Sequence, residues 1–154
     1  MGYIEDLRAL IGHRPVIFVG AVVIILDEEN HILLQQRTYP NGVWGLPGGL
    51  MELAESTEDT ARREVLEETG LTVNDLQLIN VYSGPDHFAV AQNGDEFYVV
   101  TVAYYTKNTE GNIRADETES IQLKYFAPDQ FPDKMVGSHR KMLEDFLSKI
   151  YRSL

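Results

Sequence analysis

Glu64, Glu67 and Glu68 stand close together in the run EVLEE. On a helix, at about 100° per residue, Glu68 lies about 40° to one side of Glu64 and Glu67 about 60° to the other, so the three carboxylates share one face. Ala61, Val65 and Leu66 fall beside that face and are the expected packing stripe. Like charges at these spacings repel by a few tenths of a kcal/mol on an exposed helix, and by more when partly buried. A divalent cation removes that penalty. An all-oxygen donor set suits Mg2+ or Mn2+, which keep waters and bind substrate phosphates. Such ions assist in-line displacement at phosphorus. A plain solvated surface helix would carry the same acids. What argues for chemistry is the setting: a Gly-Gly loop leading in, Glu55 ahead of the helix, Arg63 beside Glu64, and Gly70 as a stop.

The elements that must hold these residues are legible in outline. Residues 56–69 read as a helix, with Ser56 and Asp59 as a capping-box start. Tyr3, Leu7 and Leu10 recur at helical spacing, so residues 3–11 read as a short helix ended before Pro15. Val16 to Leu26 reads as a buried strand, and residues 31–37 as its hairpin partner after the turn DEEN. Residues 38–49 hold four glycines and two prolines and read as a loop. Leu76 to Ser83 reads as a strand. Phe88–Ala91 and Glu96–Thr106 flank Asn93–Gly94 and read as a hairpin. Residues 107–119 read as a polar loop, Ile121 to Phe126 as a strand, and Arg140 to Arg152 as a helix with Met142, Phe146, Leu147 and Ile150 on one side. Strands on both sides of one central helix predict an α/β (α+β) layered fold with a mixed sheet.

At 154 residues, with 44% hydrophobic and 24% charged residues, the chain reads as a single globular domain over 1–154. Its net charge of −11 weighs against direct binding of nucleic acid or an anionic membrane. The segment from Gly49 to Leu71 carries seven acids and two bases, so nearly half of the net charge sits in 23 residues. The absence of cysteine excludes disulfides, thiolate catalysis, zinc ribbons and iron–sulfur clusters. The longest apolar run is well short of the roughly 20 residues a membrane helix needs. The start MGYIEDLRAL lacks the pattern of a signal peptide, so a cytoplasmic protein is expected.

The stretch Gly49 to Leu71 resembles the signature of the Nudix hydrolase family, GX5EX7REUXEEXGU, with U a bulky aliphatic residue. Gly49, Glu55, Arg63, Glu64, Val65, Glu67, Glu68, Gly70 and Leu71 fill every fixed position. The resemblance implies an α/β/α sandwich. It implies hydrolysis of a nucleoside diphosphate linked to another group, with water attacking phosphorus and Mg2+ or Mn2+ stabilising the charge. It assigns the metal to Glu64, Glu67, Glu68 and the Gly49 carbonyl, with Glu64 and Glu68 the principal ligands. Arg63 becomes an orienter of neighbouring carboxylates, and Glu55 sits beside the cluster. The general base is a box glutamate or an acid of a later loop, where Glu117 and Glu119 lie and Glu119 is favoured. Arg37, at a strand end, is the candidate for holding a substrate phosphate.

Trp44 is expected to pack beneath the loop. Tyr39, Tyr82, His87, Phe88 and Tyr98 are possible base-stacking groups, most of them core or strand-face aromatics. His13, His31, His87 and His139 show no metal-ligand spacing. ADP-ribose and nucleotide sugars are the expected substrates. Pro85, fourteen residues after Leu71, is a faint pointer to ADP-ribose. The alternatives are a nucleoside triphosphate pyrophosphohydrolase and a non-catalytic nucleotide sensor. A homodimer is expected by analogy with the fold.

Overall fold

The computed structural model describes residues 2–154. Helix α1 (Tyr3–Ile11) precedes strands β1 (Val16–Ile25) and β2 (Ile32–Arg37). Two short strands, β3 (Trp44–Gly45) and β4 (Gly48–Leu50), lead into helix α2 (Thr57–Thr69). Six strands follow: β5 (Thr72–Asn74), β6 (Gln77–Tyr82), β7 (Phe88–Val90), β8 (Glu96–Thr106), β9 (Asn108–Glu110) and β10 (Ser120–Phe126). Helix α3 (Gly137–Lys149) and a 3-10 turn over Tyr151–Ser153 complete the described chain.

β1 reads as a continuous apolar run because both its faces are covered. Ala21, Val23 and Ile25 point toward α2, where they pack with Ala61, Val65, Leu71 and Val73. Val22, Ile24 and Leu26 point the other way and pack with Met142, Leu143 and Phe146 of α3. The period of two along the strand splits one run into two cores. β1 pairs in parallel with β8 over its full length and antiparallel with β4. β6 and β7 both pair antiparallel with β8, giving the mixed sheet β4-β1-β8-β6 with β7 beside β8. The result is a sheet between two helical layers.

Several expected elements change. β2 is not the hairpin partner of β1: the DEEN turn closes with Asp27 N–H donating to His31 O at 3.0 Å and one bridge, Leu26 to Ile32. Beyond it β2 departs to a second sheet, β10-β2-β3. Its alternating residues still serve both cores, Leu33 on the α2 side and Ile32 and Leu34 on the α3 side. The 38–49 loop contains β3 and the start of β4, and the 107–119 loop contains β9, which pairs with β5. α3 begins at Gly137 and ends at Lys149, earlier at both ends than its apolar spacing suggests. Leu10 of α1 is 86% exposed, because α1 is held by polar contacts. Arg8 donates to the carbonyls of Gly12, Arg14 and Glu96, and Glu52 accepts from Tyr3 N–H at 3.1 Å.

α2 starts and stops where its sequence dictates. Ser56 Oγ accepts from Asp59 N–H at 3.0 Å, and Asp59 accepts from Ser56 N–H at 3.2 Å. Gly70 takes the left-handed conformation (φ 78°) that favours glycine at a helix end. The buried arc is rotated from the expected stripe. Leu66 is 51% exposed, while Thr60, Glu68 and Thr69 are buried with Ala61 and Val65. Part of the carboxylate face is therefore turned into the protein.

Candidate active site

β4 lies between β1 and the carboxylates of α2, and two glycines permit it. Gly49 is paired with Ala21. A Cβ on Gly49 would strike the Glu64 carboxyl group, and one on Gly48 would strike the Ala21 carbonyl. Gly49→Ala should therefore displace Glu64. The expected outcome is a loss of kcat/KM on the order of 100-fold, with an unchanged circular dichroism spectrum. Near-normal kcat/KM would show that the close approach is not needed.

Arg63 is the organiser of the acids. Its Nε donates to Glu55 Oε2 at 2.6 Å and its Nη2 to Glu55 Oε1 at 3.0 Å, a bidentate clamp. Nη1 donates to Glu64 Oε1 at 2.8 Å, and Nη2 also reaches the Leu50 carbonyl at 3.0 Å. Glu55 further accepts from Glu52 N–H and Thr60 Oγ1. The Arg63 bond, opposed by partial burial, holds the Glu55 carboxyl down at about 2. The Arg63 guanidinium is pushed up in turn, chiefly by Glu55.

Glu64 and Glu68 behave in the opposite way. Burial pushes Glu64 up to about 7, although Arg63 pulls against it. Burial pushes Glu68 up to about 8, opposed mainly by the Gly48 N–H that donates to its Oε1 at 2.8 Å. Charge repulsion adds to burial: Glu67 and Glu119 raise Glu64, and Glu64 and Glu119 raise Glu68. Both line a cavity of about 390 Å3 together with Arg37, Gly48, Gly49 and Glu119.

The arrival of Arg37 and Glu119 has a simple cause. β10 pairs with β2 so that Ser120 lies opposite Arg37, and Thr38 N–H donates to the Glu119 carbonyl at 3.1 Å. That register puts Glu119 at the mouth of the groove. Glu117 is exposed and does not line it. Arg37 is buried enough to be lowered by desolvation, and Glu68 and Glu119 partly restore it.

Not every sequence candidate faces the groove. Glu67 is exposed and stands 3.6 Å from Arg63 Nη1, outside the lining residues. Arg63 lies behind the wall. Pro85 sits in an exposed turn after β6 and lines no part of the groove. Trp44 is buried with its ring edge-on to Phe126 at 5.0 Å, as packing beneath the loop requires. Tyr82 is buried and donates to Asp145, whereas Tyr39 lines the groove. Sequence reading missed the Gly48 N–H bond to Glu68 and the burial of His139. The doubled glycine was the available signal for the first. Position 139, one turn before Leu143, was the signal for the second.

Among the described residues no three His, Asp or Glu side chains are gathered into a ready-made metal site. The donors that are present still fit a divalent cation. Burial raises both the Glu64 and the Glu68 carboxyls more than Arg63, the Gly48 N–H and Arg37 lower them, and their donor atoms are hard oxygens. Mg2+ is held by one or two carboxylates plus substrate phosphates rather than by a full protein cage. That is the donor supply at Glu64, Glu68 and the Gly49 carbonyl.

An α/β/α sandwich whose helix α2 lines a groove with carboxylates is the arrangement that the Gly49 to Leu71 signature implies. The family model for the NUDIX domain matches residues 17–146. The chain belongs to the Nudix family and is a Nudix hydrolase. It is 36% identical over 127 residues to a Bacillus subtilis (strain 168) protein provisionally named an 8-oxo-dGTP diphosphatase, covering 82% of this chain and 78% of that one. It is 30% identical over 129 residues to a Methanocaldococcus jannaschii ADP-ribose pyrophosphatase, covering 82% and 72%. The crystal structure of a MutT NUDIX hydrolase from Burkholderia pseudomallei matches with a TM-score of 0.71 and 29% identity, over 86% of this chain and 98% of that one. Nudix hydrolases generally use a divalent metal. None of the helices described here is long and apolar enough to cross a membrane.

Proposed function

We propose that this chain hydrolyses a pyrophosphate bond in a nucleoside diphosphate linked to another group, using Mg2+ or Mn2+. The observation that carries this reading is the pair Glu64 and Glu68, whose carboxyls burial pushes up to about 7 and about 8 on the wall of a groove that also holds Arg37. In this reading Glu64, Glu68 and the Gly49 carbonyl hold the metal, which supplies charge neutralisation for an anionic substrate in an acidic site. Glu67 stands at the rim, where it joins the cluster only by turning away from Arg63. Arg63 positions Glu55 and Glu64 and does not touch substrate. Arg37 binds a phosphate oxygen, and its delocalised fork suits that task better than a lysine would. Glu119 faces Glu64 and Glu68 and is the candidate base that takes a proton from the attacking water.

The intact box acids favour hydrolysis over nucleotide sensing. ADP-ribose and nucleotide sugars are the first substrates to test, supported by the M. jannaschii relative's name. Oxidised nucleoside triphosphates come second, supported by that of the B. subtilis relative. The deciding experiment is a hydrolysis screen with Mg2+ and with Mn2+. Its panel is ADP-ribose, nucleotide sugars, dinucleoside polyphosphates and oxidised nucleoside triphosphates, with products identified. Cleavage between phosphorus atoms in at least one of them is expected. Binding without cleavage across the panel would overturn the reading.

A further inference from the structure

A second cavity of about 240 Å3 opens beside the acidic groove, and the two share Arg37, Gly48 and Gly49. One ligand can therefore reach both. Phe97 and Val99 of β8 and Ala89 of β7 line the second cavity with apolar surface. Thr101, Ser138 and His139 add a polar edge. Phe97, Val99 and Thr101 alternate along β8, so they share one face of the sheet. An apolar wall with a few polar groups fits a flat heterocycle, and the one cation of this cavity, Arg37, stands where it meets the acidic groove, so a phosphate is held at that end and the apolar wall is left to the base.

We propose that His139 reads a hydrogen-bond acceptor on the base of the bound nucleotide, through a ring N–H whose place is fixed by the Leu46 backbone. This rests on the reading that the groove takes a nucleotide. Leu46 N–H donates to His139 Nδ1 at 3.0 Å. That nitrogen must carry a lone pair. Burial pushes the His139 imidazole down to about 3, with Arg37 and His87 adding to the effect, so the ring is neutral. A neutral ring whose Nδ1 accepts has its proton on Nε2. Nε2 makes no hydrogen bond to any described residue, and it is not among the fully enclosed polar atoms that lack a partner. It is left for a ligand.

Gly45 makes room for this arrangement. A Cβ there would stand 3.0 Å from His139 Nδ1 and 3.2 Å from Arg37 Nε. Without one, the imidazole and the guanidinium both approach Gly45, with Arg37 lining both cavities and His139 the second. A group that can only donate selects a keto oxygen or a ring nitrogen. It rejects an amino group aimed at it, since both donors would lose water with nothing in exchange.

The test needs no turnover. Long-range 1H–15N spectra of the labelled protein, with Mg2+ present, report the His139 tautomer. They are recorded alone and with AMP, IMP or ribose 5-phosphate. The expected result is an Nε2–H tautomer in the free protein that AMP or IMP shifts and ribose 5-phosphate does not. His139→Asn keeps an acceptor near the Nδ1 position for Leu46 N–H but cannot reach as far as Nε2. It should weaken binding of the shifting nucleotide about tenfold and leave ribose 5-phosphate binding unchanged. An Nδ1–H tautomer, an unmoved His139 at saturating nucleotide, or an equal shift with ribose 5-phosphate would overturn the proposal. The last outcome would assign the acceptor to the sugar or phosphate. Failure of the hydrolytic reading appears only in the substrate screen, so the two are separable.

Discussion

Glu68→Gln should lower turnover on the order of a thousandfold while the fold survives. The amide keeps the shape of the carboxyl group and an oxygen to accept from Gly48 N–H. It loses the charge that a cation needs. Because that charge is buried, its removal also relieves a cost when no cation is bound. The variant without metal should therefore melt at or above the wild-type temperature at pH 8. Steady-state rates with Mg2+ or Mn2+, read beside a thermal melt, check both halves. Wild-type turnover from the variant would remove Glu68 from the chemistry. A collapsed melt would make its role structural instead.

The stability of the metal-free protein should fall as pH rises from about 5 to about 8, and Mg2+ should return what is lost. Glu64 and Glu68 are raised to about 7 and about 8 in the folded chain, against roughly 4.3 when unfolded. Across that window the folded state holds protons that the unfolded state has released, so stability declines with pH. Below the unfolded value both states are protonated and the contribution is complete. Glu55 works in the other direction: held at about 2, it stabilises above the unfolded value and is lost as pH falls toward 2. A cation binds only the ionised pair, so it competes with protons. The melting temperature should rise with Mg2+ strongly at pH 8 and little at pH 5. Calorimetry near pH 7, in buffers of different ionisation heat, should show protons released on Mg2+ binding. An equal Mg2+ shift at both pH values would contradict the burial of these carboxylates.

The box helix was legible because its information is local. Ser56, Asp59 and Gly70 set its ends within the segment itself, and every fixed position of the family pattern lies in 23 residues. Its rotation was not legible, since Leu66 is apolar yet exposed and Glu68 is charged yet buried. Which side is covered depends on β1 and β4, distant partners that no helical wheel contains. The same limit explains β3, β4, β5 and β9. Each has two or three residues, too few for a period, and takes its pairing from another part of the chain. The β1–β2 hairpin failed for a related reason. Adjacent strands joined by a short turn usually pair, but β2 gains more by feeding both cores from a separate sheet. At the site, Arg63 with Glu55 followed from the family spacing, whereas the rotation that buries Glu68 leaves Glu67 exposed beside Arg63.

The full-length parallel pairing of β1 with β8 has a consequence for how the protein is made. Val16 meets Phe97, so β1 leaves the ribosome roughly 80 residues before its partner. At roughly 5–20 residues per second it waits for several seconds. During that time VIFVGAVVII is an uncharged, β-prone segment without proline, the composition most prone to self-association. The strand that anchors both cores of the native protein is thus the nascent chain's greatest aggregation hazard. The acidic segment that follows β2 is synthesised before β8, and its net negative charge keeps neighbouring nascent chains apart while β1 is still unpaired.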